Sequence, residues 1–432
     1  MNRERETTPN ATATRRAFLG AASAAVVGLA GCVSRTTPRA DPPEPTAVPP
    51  DLDTFPAATF RGDLQNRGFH PETTVPEAVQ VEWSIPINRG DHTAAKSSVV
   101  PAPNDALIWP GDTGKVHSVS QDGQVLWTEE TDVSPQERGI HGTPTVANGT
   151  VYVGAYDGAM YAFDLETGDR TWKRNLGDAI GSSPAYYDGV VYIAVEYIPP
   201  DGSVFGLNAA TGEVVFRSTR PTDHPHSTIA IDLDAGKLVV GSNDGVLYGW
   251  EFPSGEPAWT FETGDAIKGP VATHDRGAFV GSWDGNVYRV DLETGTEDWA
   301  YETNGKVMSG PSVDVERGTV YVGSHDWRLY ALDLETGERD WAFDACGMII
   351  GCPTVTSETV LVGSYDDRLW AVDRTSGEAV WDVEVEGWVT ATPLAVEDEV
   401  YVAERAPGGG TGDRPGRGYA LGPESSHTVG HN

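Results

Sequence analysis

Apolar and polar positions repeat along the chain as a unit, read most clearly in residues 320–341, VYVGSHDWRLYALDLETGERDW. Around Tyr321 and Val322 apolar and small residues alternate, the period of a strand with one buried face. His325-Asp326 marks a turn, residues 329–332 a second strand, and Glu335-Thr336-Gly337 a tight turn with glycine where positive φ is needed. Trp341 opens a third strand. The pattern Ala-x-Asp-x-x-Thr/Ser-Gly-x-x-x-Trp recurs at 162–172, 331–341 and 371–381, with looser copies at 289–299, 249–259 and 206–216 and a shorter one at 118–127. The closing aromatics Trp83, Trp127, Trp172, Phe216, Trp259, Trp299, Trp341 and Trp381 stand about 40–45 residues apart. Several short strands in a period of that length predict an all-β fold, a propeller of four-stranded blades.

Seven blades are complete in the sequence, from 97–127 through 352–381. An eighth lacks its closing tryptophan: 390–396, 399–403 and 419–421 supply three strands only. At the other end, the strand around Trp83 has no partners before it and no turn glycine four residues earlier, unlike Trp127, Trp172 and Trp341. The two ends therefore complete one blade, the amino-terminal strand outermost, and an eight-bladed β-propeller is expected over 55–422, with 423–432 a disordered tail.

The formal net charge of −34 over 432 residues leaves no basic stripe to neutralise phosphates, which excludes nucleic acid as a partner. Such acidity fits a halophilic surface, solvated and screened at high salt. Near the start, Arg15-Arg16 precedes an apolar, alanine-rich run ending Leu29-Ala30-Gly31-Cys32. A basic start, short apolar core and small residues before a cleavage point describe an export signal. The paired arginines resemble the twin-arginine signal and the run before Cys32 resembles a lipoprotein box. That resemblance implies a signal peptide over 1–31, lipid on the Cys32 sulfur and a location on the outer face of the cytoplasmic membrane. The proline-rich 32–54 reads as a semi-rigid tether.

The repeated Ala-x-Asp-x-x-Thr-Gly-x-x-x-Trp resembles the tryptophan-docking motif of quinoprotein-type propellers, the PQQ-like repeats. Phe60-Arg61-Gly62-Asp63 with Asn66-Arg67-Gly68-Phe69 is similar to the lead-in of many of them. In enzymes of that family the resemblance implies a pyrroloquinoline quinone above the channel, between a tryptophan floor and a disulfide of adjacent cysteines, beside calcium held by carboxylates and asparagine. Here the adjacent pair is missing, since Cys346 and Cys352 are separated by five residues. Two cysteines in one short loop of an exported chain are expected to form a disulfide, the alternative being two buried thiols. No metal site is expected there, and Asp157-Gly158, Asp244-Gly245 and Asp284-Gly285 read as hairpin turns rather than calcium loops.

Departures from the repeat gather where second-to-third-strand turns and crossovers share a face: the swollen turn 196–202, the crossover 220–226 and the loop 406–417. Tyr197, Ile198, His224 and His226 come from these; His141, Lys268, Lys306, Met308 and Trp388 are placed at the channel mouth by their offsets from the inner strands. Loops enlarged on one side of a regular scaffold suggest a binding face. The expectation is a membrane-anchored, non-catalytic scaffold, similar to the BamB-type propeller lipoproteins, that binds a protein or ligand and needs no cofactor. The alternatives are a dehydrogenase using pyrroloquinoline quinone with calcium, and a surface ligand sensor.

Overall fold

The computed structural model describes residues 59–88, 97–132, 134, 138–406 and 414–424. Arg15, Arg16, Cys32, the tether, residues 407–413 of the last loop and residues 425–432 lie outside them. Among the described residues no helix is long and apolar enough to cross a membrane.

Eight four-stranded antiparallel sheets follow one another as the blades of a propeller. Blade 6 shows the unit: Ser312–Asp314 innermost, then Thr319–Gly323, Arg328–Asp333 and, outermost, Arg339–Asp344. In blade 8 the inner strands are Leu394–Val396, Glu399–Ala403 and Gly416–Pro423, and the outermost is Val79–Asn88, with Trp83 opposite Ala420 and Ser84 opposite Tyr419. The ring closes as the sequence requires.

The tryptophans join the blades. All but Trp381 rest on the turn glycine of the following blade: Trp83 on Gly123, Trp127 on Gly168, Trp172 on Gly212, Trp259 on Gly295, Trp299 on Gly337 and Trp341 on Gly377, with Phe216 on Gly255. A Cβ on any of these glycines would stand 2.4–3.0 Å from the ring, and all have positive φ. The indole N–H also finds a carbonyl there, as in Trp299 to Leu334 O at 3.0 Å and Trp127 to Leu165 O at 2.8 Å. Trp381 faces blade 8, whose outer strand arrives without a preceding turn. It donates instead to Pro76 O of the lead-in at 2.8 Å.

A second set of bonds links the blades at the channel wall. The N–H of Ser98 donates to Thr143 Oγ1, Thr143 to Ser183 Oγ and Ser183 to Thr228 Oγ1; Gly310 donates to Cys352 Sγ, Cys352 to Thr392 Oγ1 and Thr392 to Ser98 Oγ. The chain of side-chain acceptors breaks only at Pro270 and Gly310. Cys352 therefore holds a hydroxyl position in this ring. The expected disulfide is corrected: both cysteines are free thiols, Cys346 exposed on its turn and Cys352 buried, its sulfur 3.2 Å from the Gly310 nitrogen.

The lead-in crosses the channel beneath the innermost strands. Its carbonyls accept from them, Leu64 from Ile231, Gln65 from Thr273, Arg67 from Val313 and Gly68 from Val355. Asn66 Nδ2 reaches Ile229 O and Val271 O at 2.9 and 3.0 Å. One segment thereby ties blades 4 to 7 together.

The blade 8 seam contains a fully buried carboxyl. Glu404 Oε2 accepts from the Gly387 N–H at 2.7 Å, and its carbonyl accepts from Asn88 Nδ2 at 2.8 Å. Burial raises its pKa from the ordinary 4.5 to about 7. Across roughly pH 4.5 to 7 the folded state holds a proton that the unfolded state has released, so this group's contribution to stability falls as pH rises through that window and is level above it. Thermal unfolding of wild type and Glu404→Gln, at about pH 5 and pH 8, tests this. The variant's melting temperature should gain on wild type as pH rises; a difference independent of pH contradicts it.

Candidate functional site

Blade geometry puts the second-to-third-strand turns and the crossovers on one end of the channel, the crossover face. Six of the crossovers insert one aliphatic residue into the wall: Ile140, Ile180, Ile267, Val307, Ile349 and Val389 are all fully buried. The strand-end glycine of the Val-Gly-Ser/Ala segments makes room for them, since a Cβ on Gly154, Gly241, Gly281, Gly323 or Gly363 would lie 2.0–2.4 Å from the aliphatic side chain. One residue further, the strand is held by the crossover backbone. Tyr156 N–H donates to Gly139 O, Asn243 to His224 O, Trp283 to Ala266 O, His325 to Lys306 O, Tyr365 to Met348 O and Arg405 to Trp388 O, at 2.8–3.0 Å. A rigid frame thus presents one variable side chain per blade, with the crossover residues beside it.

On blades 2 and 3 these residues form an imidazole-rich cluster. His141 packs on Tyr156 with centroids 4.0 Å apart, and His226 lies 6.4 Å from the same ring. His226 Nδ1 is 2.7 Å from Glu196 Oε1, and Gly181 leaves the space for that pair. His224 Nε2 meets Tyr197 O at 2.9 Å. Burial raises the Tyr156 phenol well above its ordinary range, and nearby Glu196 adds to this.

Blades 4 to 6 carry a cationic pair on one indole. The ammonium groups of Lys268 and Lys306 lie 4.1 and 3.8 Å from the Trp283 ring. Burial lowers the Lys268 pKa, against the attraction of Glu196 and Asp223. Trp283 Nε1 and Asn243 Oδ1 are buried without a hydrogen-bond partner. On blades 7 and 8, Tyr365 and Trp388 stack at 4.4 Å, the Arg405 guanidinium stands 4.6 Å from the Trp388 ring, and its Nη1 donates to Tyr365 Oη at 3.4 Å.

Of the residues expected from sequence, His141, His224, His226, Lys268, Lys306 and Trp388 enter these clusters, and Met308 sits on the crossover beside Lys306. Tyr197 is held structurally, its hydroxyl donating to Leu176 O at 3.0 Å and receiving Arg217. Ile198 caps a middle hairpin, Val190–Tyr197 and Asp201–Asn208, that is longer than in other blades, and is 70% exposed. Sequence reading left out Tyr156, Glu196, Asn243, Trp283, His325, Tyr365 and Arg405 as site residues. Their signal was the one position of Val-Gly-Ser/Ala-x-Asp that varies while its neighbours repeat. The aspartate after x serves the turn: Asp284 accepts from the Asn286 N–H at 2.8 Å and the Tyr288 hydroxyl at 2.7 Å, and Asp157, Asp244 and Asp326 do likewise.

The family model described as outer membrane protein assembly factor BamB matches residues 80–223, 200–344 and 341–414. BamB of Salmonella typhimurium is 32% identical over 152 residues, 33% of this chain and 36% of that protein. The quinohemoprotein alcohol dehydrogenase ADH-IIG of Pseudomonas putida is 28% identical over 160 residues, 32% of this chain and 21% of that protein. In both cases the match spans well under half of the relative. Among solved structures, BamB from Moraxella catarrhalis superposes with a TM-score of 0.64 at 17% identity, covering 80% of this chain and all of that one. A europium-containing methanol dehydrogenase gives 0.72 at 12% identity, covering 86% and 99%. At such identities the superpositions establish the fold alone. The family match, by contrast, runs through nearly the whole ring of blades: the chain belongs to the PQQ-like repeat family of outer membrane protein assembly factor BamB.

Proposed function

We propose that this chain is a membrane-anchored, extracytoplasmic binding propeller, without catalysis of its own, whose crossover face holds an acidic segment of a partner protein. The observation that carries the reading is the gathering of Arg138, Lys268, Lys306 and Arg405 on aromatic rings at that face, in a chain of net charge −34. Aromatic and arginine side chains on a rigid frame are the residues from which interface hot spots are made. A cation held over a ring contributes about 0.5–2 kcal/mol, more as water is excluded. The exposed Ile198 and Trp327, 70% and 53% accessible, extend the face with apolar contacts. Trp327 stands at φ +76°, where blades 2, 4 and 5 place Gly158, Gly245 and Gly285 and blade 7 places Asp367, a conformation costly for a bulky side chain. The names of the BamB relatives, as assembly factors, accord with a binding role, and Arg15-Arg16 and Cys32 support export and anchoring.

A second reading has its own support. Glu196 and Asn243 hold the same repeat position on adjoining blades, and the amide oxygen of Asn243 lacks a partner. A carboxylate, an amide oxygen and the indole of Trp283 between two lysines make a donor set that fits calcium and a planar quinone carboxylate in part. Glu196 and Asn243 would hold the metal, and Lys268 and Lys306 the quinone. The bound group would supply two-electron oxidation. Against this, Glu196 is engaged by His226, and the adjacent cysteine pair of the enzymes is missing.

A photo-crosslinker at Ile198, in the cells that make the protein, tests the first reading. It should yield one dominant partner adduct in the membrane fraction, lost in Lys268→Glu/Lys306→Glu, while Cys32→Ala should carry the chain into the medium. An adduct indifferent to charge reversal, or Cys32→Ala retained on membranes, contradicts it. For the second, pyrroloquinoline quinone with calcium and a panel of alcohols and sugars should give no dye reduction. Turnover abolished by Asn243→Ala would establish the enzyme instead.

A further inference from the structure

Beneath the ring of hydroxyl acceptors, a cavity of about 310 Å³ lies in the channel between the lead-in and the innermost strands of blades 8 and 1. Its walls are apolar on the blade side, with Val99, Val100, Leu394 and Ala395, and polar toward Thr143 and Thr392. The exposed Glu397 marks its mouth at the end opposite the crossover face. Arg61 forms part of the wall and is only 7% exposed.

The guanidinium of Arg61 is tied down by carbonyl and hydroxyl oxygens, not by a carboxylate. Nη1 donates to Pro311 O at 2.7 Å, and Nη2 donates to Arg67 O at 3.3 Å and to Ser312 Oγ. Nε is buried with no acceptor. Among the described residues no carboxylate pairs with Arg61. The nearest in sequence, Asp63, is held by Arg67, whose Nε donates to Asp63 Oδ2 at 2.9 Å and whose backbone N–H donates to Oδ1 at 3.1 Å. Arginine keeps its proton in proteins, so burial leaves a full positive charge in the wall of a cavity, with the Nε donor unused on the side of Gly68. A buried charge without a paired carboxylate is costly, and an anion in the cavity beside the guanidinium offsets that cost.

From this cavity we infer a channel site for a small monocarboxylate with an apolar body, its carboxylate toward the buried Arg61 guanidinium and its body against Val99, Val100 and Leu394. The volume suits roughly ten non-hydrogen atoms, at the lower end of the range for small-molecule pockets. The site is separate from the crossover face and does not rest on the function proposed for it. The lead-in that braces blades 4 to 7 also supplies Arg61, so an occupant would stiffen the closed ring.

Benzoate and its neutral isostere benzamide, titrated at constant ionic strength against the full chain, test the inference by calorimetry and thermal unfolding. Benzoate should bind saturably and raise the melting temperature, benzamide should bind about ten- to a hundredfold more weakly, and Arg61→Met should lose the preference. Because Arg61 also braces the lead-in, Leu394→Phe provides a second arm that narrows the cavity and leaves the guanidinium in place. It should weaken benzoate binding while the fold is retained. Equal binding of the two ligands, no saturable binding, or a benzoate affinity unchanged in Leu394→Phe would overturn the site.

Discussion

The contact on which the whole disc depends is an indole laid on a glycine. Each blade ends in an aromatic side chain that cannot be buried within its own sheet, and the following blade offers a turn whose glycine has positive φ and no Cβ. The glycine is required twice, once by its backbone conformation and once by the ring above it. The indole N–H adds a bond to a turn carbonyl. Because seven of the eight aromatics rest on the turn glycine of the next blade, the arrangement is complete only when the ring closes. Blade 8 shows this most clearly. Trp83 comes from the amino-terminal strand and rests on blade 1, while Trp381 must borrow Pro76 of the lead-in.

That dependence explains which parts of the molecule were legible in the sequence. A large aromatic and a glycine at fixed spacing are rare enough, and repeated often enough, to reveal strands, turns, blade number and the pairing of the two ends. The ring of side-chain acceptors was not legible, because Ser98, Thr143, Ser183, Thr228, Cys352 and Thr392 are small residues with no pattern until their blades are set side by side. Cys352 was consequently assigned to a disulfide when its sulfur is one acceptor among hydroxyls. At the crossover face, offsets from the inner strands found the crossover residues. They passed over Trp283, Tyr365 and Arg405, whose significance lies in varying at a position whose neighbours do not.

The same economy frees the site. Docking, strand pairing and the aliphatic anchors use nearly every invariant position of the repeat, leaving one side chain per blade, framed by the crossover, to differ without cost to the scaffold. Histidines beside Tyr156, lysines on Trp283 and the Tyr365–Trp388–Arg405 stack occupy those places. A family that contains assembly factors, with dehydrogenases among the relatives, is what such a division produces, since the blades constrain the fold and leave the mouth of the channel to function.

The ring on the glycine, not the turn conformation alone, holds neighbouring blades together. Two glycines of blade 6 separate these effects: Gly337 at φ +71° lies under Trp299, with a Cβ placed 2.7 Å from the ring, whereas Gly318 at φ +64° has nothing within 4 Å. Both pay the same backbone penalty of about 1–2 kcal/mol on substitution by alanine. Chemical denaturation of Gly337→Ala and Gly318→Ala is the direct measurement. Gly337→Ala should lose about 1–3 kcal/mol more than Gly318→Ala; equal losses would show that the ring contributes nothing beyond the turn.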